Sequence, residues 1–230
     1  MPSMHTSREF ESELRELRGH LLAMGARCER IVRVALEVFA SGELEREGEV
    51  RAIDARIDRD QMEIDAMALR ILALRQPVAH DLRLLATTFK LVTDLERIGD
   101  EAVNITERAG EVERDATPFP QPHLATMGML TQQMLRDALD AFVDADAARA
   151  ERVLAADDDV DALYGRTRRE TVELLAEAPA RLRTGMAVVA AAKCLERIAD
   201  HATNVAEEVI FMVRGDDVRH GGGQPQAERP

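Results

Sequence analysis

The 230-residue sequence has no tryptophan, a single tyrosine (Tyr164) and only 3% aromatic residues. Sheets usually recruit β-branched and aromatic side chains, so this scarcity disfavours strands and favours Ala/Leu/Glu/Arg helices. Two cysteines, Cys28 and Cys194, stand far apart with no metal-type spacing, and read as reduced thiols packed as small hydrophobes. Long apolar runs are missing: the N-terminus MPSMHTSREFESEL has no signal core and no stretch has the length of a membrane span, which leads to the expectation of a cytoplasmic protein. Basic charge is in deficit. A net charge of −13 repels phosphate backbones and anionic lipid, so neither nucleic acid nor a membrane surface is an expected direct partner.

What remains is helical period. Phe10, Leu14, Leu17, Leu21, Met24, Cys28, Ile31, Ala35 and Val38 form an unbroken heptad seam behind a possible capping box at Thr6 and Glu9. Ser41-Gly42 stops this first helix. A second is expected from about Glu43 to Leu74, on Val50, Ile53, Ile57, Ile64, Ala68 and Ile71, and ends before Gln76-Pro77. A third, from about His80 to Arg108, carries Leu82, Leu85, Phe89, Val92, Gly99, Val103 and Thr106 on one side. Residues 111–122 hold three alternating prolines and read as a linker. The plan then repeats, with helices from His123, Ala147 and Leu182, and residues 215–230 read as a disordered tail.

The repeat is in the residues themselves. Asp94–Ala109 aligns with Cys194–Val209 at an offset of 100, with eight of sixteen positions identical. Phe39, Val50, Asp54, Ile57 and Asp58 match Phe142, Val153, Asp157, Val160 and Asp161 at an offset of 103. The expected fold is therefore all-α: two tandem, duplicated three-helix bundles, spanning residues 6–110 and 123–214. The first helix also carries Leu22, Val32, Leu36 and Phe39 outside its seam. This apolar surplus leads to the expectation of a homodimer.

Each copy bears the same acids. Glu96, Asp100, Asn104 and Glu107 recur as Glu196, Asp200, Asn204 and Glu207. At 100° per residue, Asp100 and Glu107 fall within about 40° of Glu96, which lies in line with the apolar stripe. Asp54 and Asp58 flank the stripe of the second helix, and Asp157 and Asp161 do so in the duplicate. Carboxylates on an apolar face are costly unless paired, protonated or metal-bound. Four converging from adjacent helices suit an oxygen-preferring cation such as Mg, Mn, Fe or Ca. Asn104, Asn204, Glu107 and Glu207 are candidates for an outer shell. A plainer reading leaves the acids salt-bridged to Arg97 and Arg197. His201 has Glu101 as its counterpart and reads as local, and a phosphotransfer role for His80 has little support. No phosphate loop, nucleophile elbow or His-rich motif is present, so an enzyme is not expected.

Leu74-Arg-Gln-Pro-Val-Ala-His-Asp-Leu-Arg83, then Thr93–Ile105, and in the second half Leu195–Val209 and Val213–His220, resemble the PhoU family of phosphate-transport accessory regulators. The resemblance runs from about Phe10 to His220. It implies paired three-helix bundles, usually dimeric, with metal (Fe, Mn, Mg or Zn) on Asp54/Asp58, Glu96/Asp100, Asp157/Asp161 and Glu196/Asp200. It also implies negative regulation of the phosphate-starvation response, between the ATPase subunit of a phosphate ABC transporter and a phosphate-sensing histidine kinase. Membrane association would then be indirect, through these partners. The alternative is a metal-responsive bundle unrelated to phosphate.

Overall fold

The computed structural model describes residues 4–114, 119, 121 and 123–215, with the side chains of 4–7 and 79–80 left aside. Six long helices follow in order: α1 (Met4–Ser41), α2 (Glu47–Arg75), α3 (Ala79–Ala109), α4 (Leu124–Asp144), α5 (Ala147–Glu177) and α6 (Leu182–Arg214). Short 3-10 turns at Leu44–Arg46 and Pro179–Arg181 lead into α2 and α6. No strand occurs among the described residues, and no described helix is long and apolar enough to cross a membrane. The first helix begins at Met4, ahead of the cap expected at Thr6. The expected tail lies outside the described residues, apart from Gly215. The segment expected as a linker is described in part, and there it is tied to the bundles. Arg114 donates to the carbonyls of Phe39 and Ala40, the Glu113 amide donates to Thr184, and Phe119 is buried under Arg181.

Each half is an up-down-up bundle. In the first, Arg27–Asp60 and Arg75–Glu13 pair α1 antiparallel to α2, and Cys28 Sγ donates to the Leu95 carbonyl, so α1 and α3 run parallel. The whole α1 seam from Leu14 to Val38 is buried. Burying one such Leu or Ile contributes about 1.5–3 kcal/mol, which is what holds helices this long in place.

The two halves are not beads on a string. Among the described residues, α3 packs on α6 across the halves as extensively as any two helices within one half. They run antiparallel: Arg83 meets Met212, Thr87 meets Glu208, and Asp94 meets His201. A single apolar stripe on α3 therefore understates its burial. Leu84, Leu91, Leu95, Ile98, Ala102 and Ile105 are buried beside the expected Leu85 and Val92, whereas Leu82, placed on the stripe by its spacing, is 47% exposed at the α2–α3 turn.

A second crossing, α1 on α4, uses glycine. A Cβ on Gly25 would lie 2.7 Å from Leu139 Cδ2, and one on Gly128 would lie 2.8 Å from Leu36 Cδ1. Gly25 and Gly128, like Leu36 and Leu139, are duplicates at offset 103. Each leucine of one copy thus sits in the glycine notch of the other, around a pseudo-two-fold axis. Most of the apolar surplus on α1 is covered within the chain. Val32 and Phe39 are buried within the chain and Leu36 packs on Gly128, while Leu22 alone stays exposed. Leu36 is the member of this surplus that the second half receives.

Filling either notch should be costly. Gly25→Val and Gly128→Val are each expected to lose about 1–3 kcal/mol in urea unfolding, because the facing leucine must leave its rotamer. Gly19, also within α1, faces open space, with nothing within 4 Å of where a Cβ would lie. Gly19→Ala is expected to gain about 0.5–1 kcal/mol from helix propensity alone.

Candidate functional site

The expected carboxylates gather along two seams, between α2 and α3 and between α5 and α6. In the first, Asp54 leans on the backbone of α3 at Gly99, where a Cβ would lie 2.9 Å from its Oδ1 and 3.3 Å from Ile57 Cδ1. Asp54 Oδ1 is buried without a hydrogen-bond partner. Burial, and then the charges of Asp58, Asp100 and Glu96, push this carboxyl up to about 6. Glu96 is raised by burial, Asp100 and Asp58, and Asp100 by burial, Asp58 and Glu101. Arg97 offsets part of both shifts by its charge. None of the four makes an ion pair with a described residue, so the expected salt bridge to Arg97 does not form.

The duplicate behaves alike on α5. Asp157 Oδ1 is a second buried orphan, and burial followed by Asp200, Asp161, Asp158 and Glu196 pushes Asp157 up to about 6. Asp200 is raised by burial and Glu196 against the opposing charge of Lys193. Here one acid is paired: Lys193 donates to Glu196 in a close ion pair and stands 5.4 Å from the centre of the Tyr164 ring. Lys193 and Tyr164 lie outside the duplicated acidic pattern, although Lys193 precedes Glu196 by three residues and so shares its face. Asp60, two residues beyond Asp58, belongs elsewhere. It is buried between Arg27 at 2.7 Å and Arg56 at 2.9 Å and ties α2 to α1.

The outer-shell candidates divide between the α2–α3 seam, which Glu107 joins through Arg51 of α2, and the contact of α3 with α6. Asn104 donates to Glu101, Asn204 donates to Asp94 at 3.0 Å, and Glu107 pairs with Arg51. Glu207 lines a cleft of about 330 Å³ on the α3–α6 seam, together with Phe89, Lys90, Asp94 and Arg97. His201 is not local either. It meets Asp94 Oδ1 at 2.9 Å across the two halves, and Arg197 pairs there with Glu101 and not with its neighbouring acids. The mirror of the Asp94–His201 contact is Cys194 with Glu101, and burial followed by that hydrogen bond pushes the Cys194 thiol up to about 12. Burial drives the Cys28 thiol up as well. Both thiols are therefore inert. The side chain of His80 lies outside the described residues.

Among the described residues, no group of three or more His, Cys, Asp or Glu side chains is arranged to hold a metal ion. The carboxylates are neighbours without closing on one point. Their chemistry nonetheless fits a hard cation: oxygen donors only, an unpartnered buried oxygen in each cluster, and acids that raise one another's affinity for positive charge. Side-chain rotation about fixed helices is what closure would require.

The raised carboxyls carry a pH signature. An acid whose folded pKa exceeds its unfolded one holds more protons when folded between about pH 4 and 6, so stability falls as pH rises through that window. Asp54→Asn and Asp157→Asn are each expected to stabilise metal-free protein at pH 7 by about 1–2 kcal/mol, once solvent screening is allowed for. The gain should fade by pH 4.5, as read by thermal unfolding with chelator present. A loss of stability at pH 7 would contradict the assignment.

Comparison with known proteins agrees with this architecture. The family model described as "PhoU domain" matches residues 21–109 and again 124–209, one match for each half. A phosphate-specific transport system accessory protein PhoU homolog from Pseudomonas putida is 42% identical over 219 residues, covering 95% of this chain and 86% of that protein. Its counterpart from Deinococcus radiodurans is 35% identical, over 90% of this chain and 97% of its own length. The crystal structure of PhoU from Pseudomonas aeruginosa superposes with a TM-score of 0.85 at 40% identity, covering 90% of this chain and all of that one. The phosphate transport system regulatory protein PhoU from Streptococcus pneumoniae gives 0.84 at 28% identity, over 91% and 99% of the two chains. With both halves matched and the duplicated acids set on the same helices, the chain belongs to the PhoU family.

Proposed function

We propose that this protein is a non-catalytic adaptor that restrains phosphate uptake and the phosphate-starvation response, coupling a phosphate ABC transporter to a sensor histidine kinase. The observation that carries this reading is the near full-length similarity to proteins named for the phosphate-specific transport system. The physical character of the chain is consistent with it. A rigid bundle with pseudo-two-fold symmetry offers two related faces, which allows two partners to be engaged at once. Its net charge of −13 favours basic patches on those partners, and such contacts weaken as salt rises. Self-association into a homodimer belongs to the same reading and rests on the family resemblance. So does residence in the cytoplasm, with access to the membrane only through the partners.

In this reading the first cluster (Asp54, Asp58, Glu96, Asp100) and its duplicate (Asp157, Asp161, Glu196, Asp200) hold divalent or trivalent metal. A bound cation would neutralise acids that otherwise repel one another and would fix α2 to α3 and α5 to α6. The buried, unpartnered oxygens of Asp54 and Asp157 support this part of the reading.

Deleting the gene is expected to switch on a phosphate-starvation reporter in phosphate-replete medium, and the wild-type gene should restore repression. A silent reporter in a strain with no second copy would overturn the regulatory role. Separately, metal analysis of chelator-free protein should find metal that the Asp58→Ala/Glu96→Ala double variant loses from the first cluster.

A further inference from the structure

The two acidic clusters are copies by position but not by charge. On α3, the residue before Asp94 is Thr93, whose hydroxyl donates to the Phe89 carbonyl of its own helix at 3.0 Å. It brings no charge to the first cluster. The duplicate position on α6 is Lys193, whose ammonium is held by Glu196. The ring beneath that ammonium belongs to Tyr164 on α5, and its duplicate on α2 is Gln61. Both halves of the clamp, the cation and the aromatic face that seats it, are thus present in the second cluster and replaced in the first.

The clamp is built into the seam and not strewn on the surface. The Glu196 side chain is 13% exposed and that of Lys193 37%, so the pair is partly shielded from water and salt. The Lys193 charge also acts on Asp200, the second acid on α6, seven residues further along the same helical face. The same α6 register therefore presents one fixed positive charge to two of the four candidate ligands. In the first cluster, Arg97 and Arg51 act only through space, without an ion pair to any of the four acids.

Resting on the reading of these clusters as metal sites, we propose that the duplicated sites have diverged: Lys193 serves as a resident cation in the second cluster, and a hard divalent cation loads the first cluster in preference. A metal entering the second cluster must displace the ammonium from Glu196 or accept one fewer free carboxylate. A metal entering the first meets four unpaired acids. The cluster acids and the buried orphan oxygen recur in both sites, while Gly99, Arg51 and Glu101 of the first half have Ala199, Leu154 and His201 as duplicates. Among the described residues, only Lys193 places a cation in contact with a cluster acid, so the preference is assigned to residues 93 and 193, with 61 and 164 behind them.

The test is Mn²⁺ titration of the full chain after chelator treatment, counting free Mn²⁺ by electron paramagnetic resonance, with helicity checked by circular dichroism. Wild-type protein should show a tight class of sites that Asp58→Asn removes and Asp161→Asn leaves in place. Lys193→Thr should tighten the second class by about tenfold or more, as expected for removing one charge a few ångströms from the ion. Lys193→Arg, which keeps the charge, should not. Thr93→Lys should weaken the first class by a similar factor. Equal loading of both clusters in wild type, unchanged by either exchange at position 193 or 93, would overturn the divergence while leaving metal binding intact. Loss of the tight class through Asp161→Asn would overturn it by reversing the order. Absence of Mn²⁺ uptake in all of the folded proteins would overturn both this proposal and the metal part of the proposed function, with the reporter experiment still deciding the regulatory part.

Discussion

Helices α3 and α6 lie antiparallel through the middle of the protein, and each remaining helix packs on one of them: α1 and α2 on α3, α4 and α5 on α6. That central pairing requires each helix to be apolar on more than one face. On α6 it is met by small residues, Ala187, Ala191, Ala192, Ala199, Ala202 and Ala206, interleaved with Val188, Leu195, Ile198 and Val205, all buried. Small side chains let the two axes approach, and the larger ones fill the remaining space at interior density. With two sides committed to the core, only the margin of each central helix is left for function. The acids stand on that margin, on the seam with the outer helix of their own bundle.

The carboxylates are consequently held by elements that have little freedom to move. Glu96 and Asp100 are separated by one helical turn on α3, and Asp54 and Asp58 by one turn on the antiparallel α2. Gly99 allows the Asp54 carboxylate to rest against the α3 backbone. Ala199 occupies the duplicate position, so the second seam accommodates one more carbon at the same place. Such a frame concentrates negative charge where burial already disfavours it, which is the physical origin of the raised carboxyls. The frame stays intact because the repulsion is borne at the edge of the core while hydrophobic contacts along some thirty residues of each helix hold it together.

The six helices and the eight acids were legible in the sequence for the same reason: both follow the 3.6-residue period, and duplication stated each of them twice. Helix ends set by Gln76-Pro77 and Pro179 were equally legible, since proline is a local constraint. The pairing of the halves was not. Period locates an apolar face on a helix but does not say which helix covers it, so Leu36 suggested another copy when it packs on Gly128 of α4. The two asparagines among the outer-shell candidates show the same point. Asn104 and Asn204 lie about 80° around the helix from Glu96 and Glu196, and that turn carries them toward the α3–α6 seam and not toward the acids. The departures from the repeat carry that information: Lys193 stands where the first copy has Thr93, as His201 stands where it has Glu101.

Those differences bear on why α3 pairs with α6 at all. Two related helices with a pseudo-two-fold axis between them have an obvious competitor, in which like pairs with like in a second chain. The residues on the seam discriminate between these arrangements. As folded, Asp94 meets His201 and Asn204, while Glu101 meets Arg197 and Cys194. In an α3–α3 pairing of the same geometry, Asp94 of each helix would face Glu101 of the other, placing two carboxylate pairs on a largely buried seam. An α6–α6 pairing would set His201 beside Arg197 with no acid to receive either. Like charges on a buried surface cost far more than exposed ones. The divergence of positions 94 and 101 from 194 and 201 therefore does not blur the duplication but selects among its possible pairings, and it directs the two copies to each other within one chain.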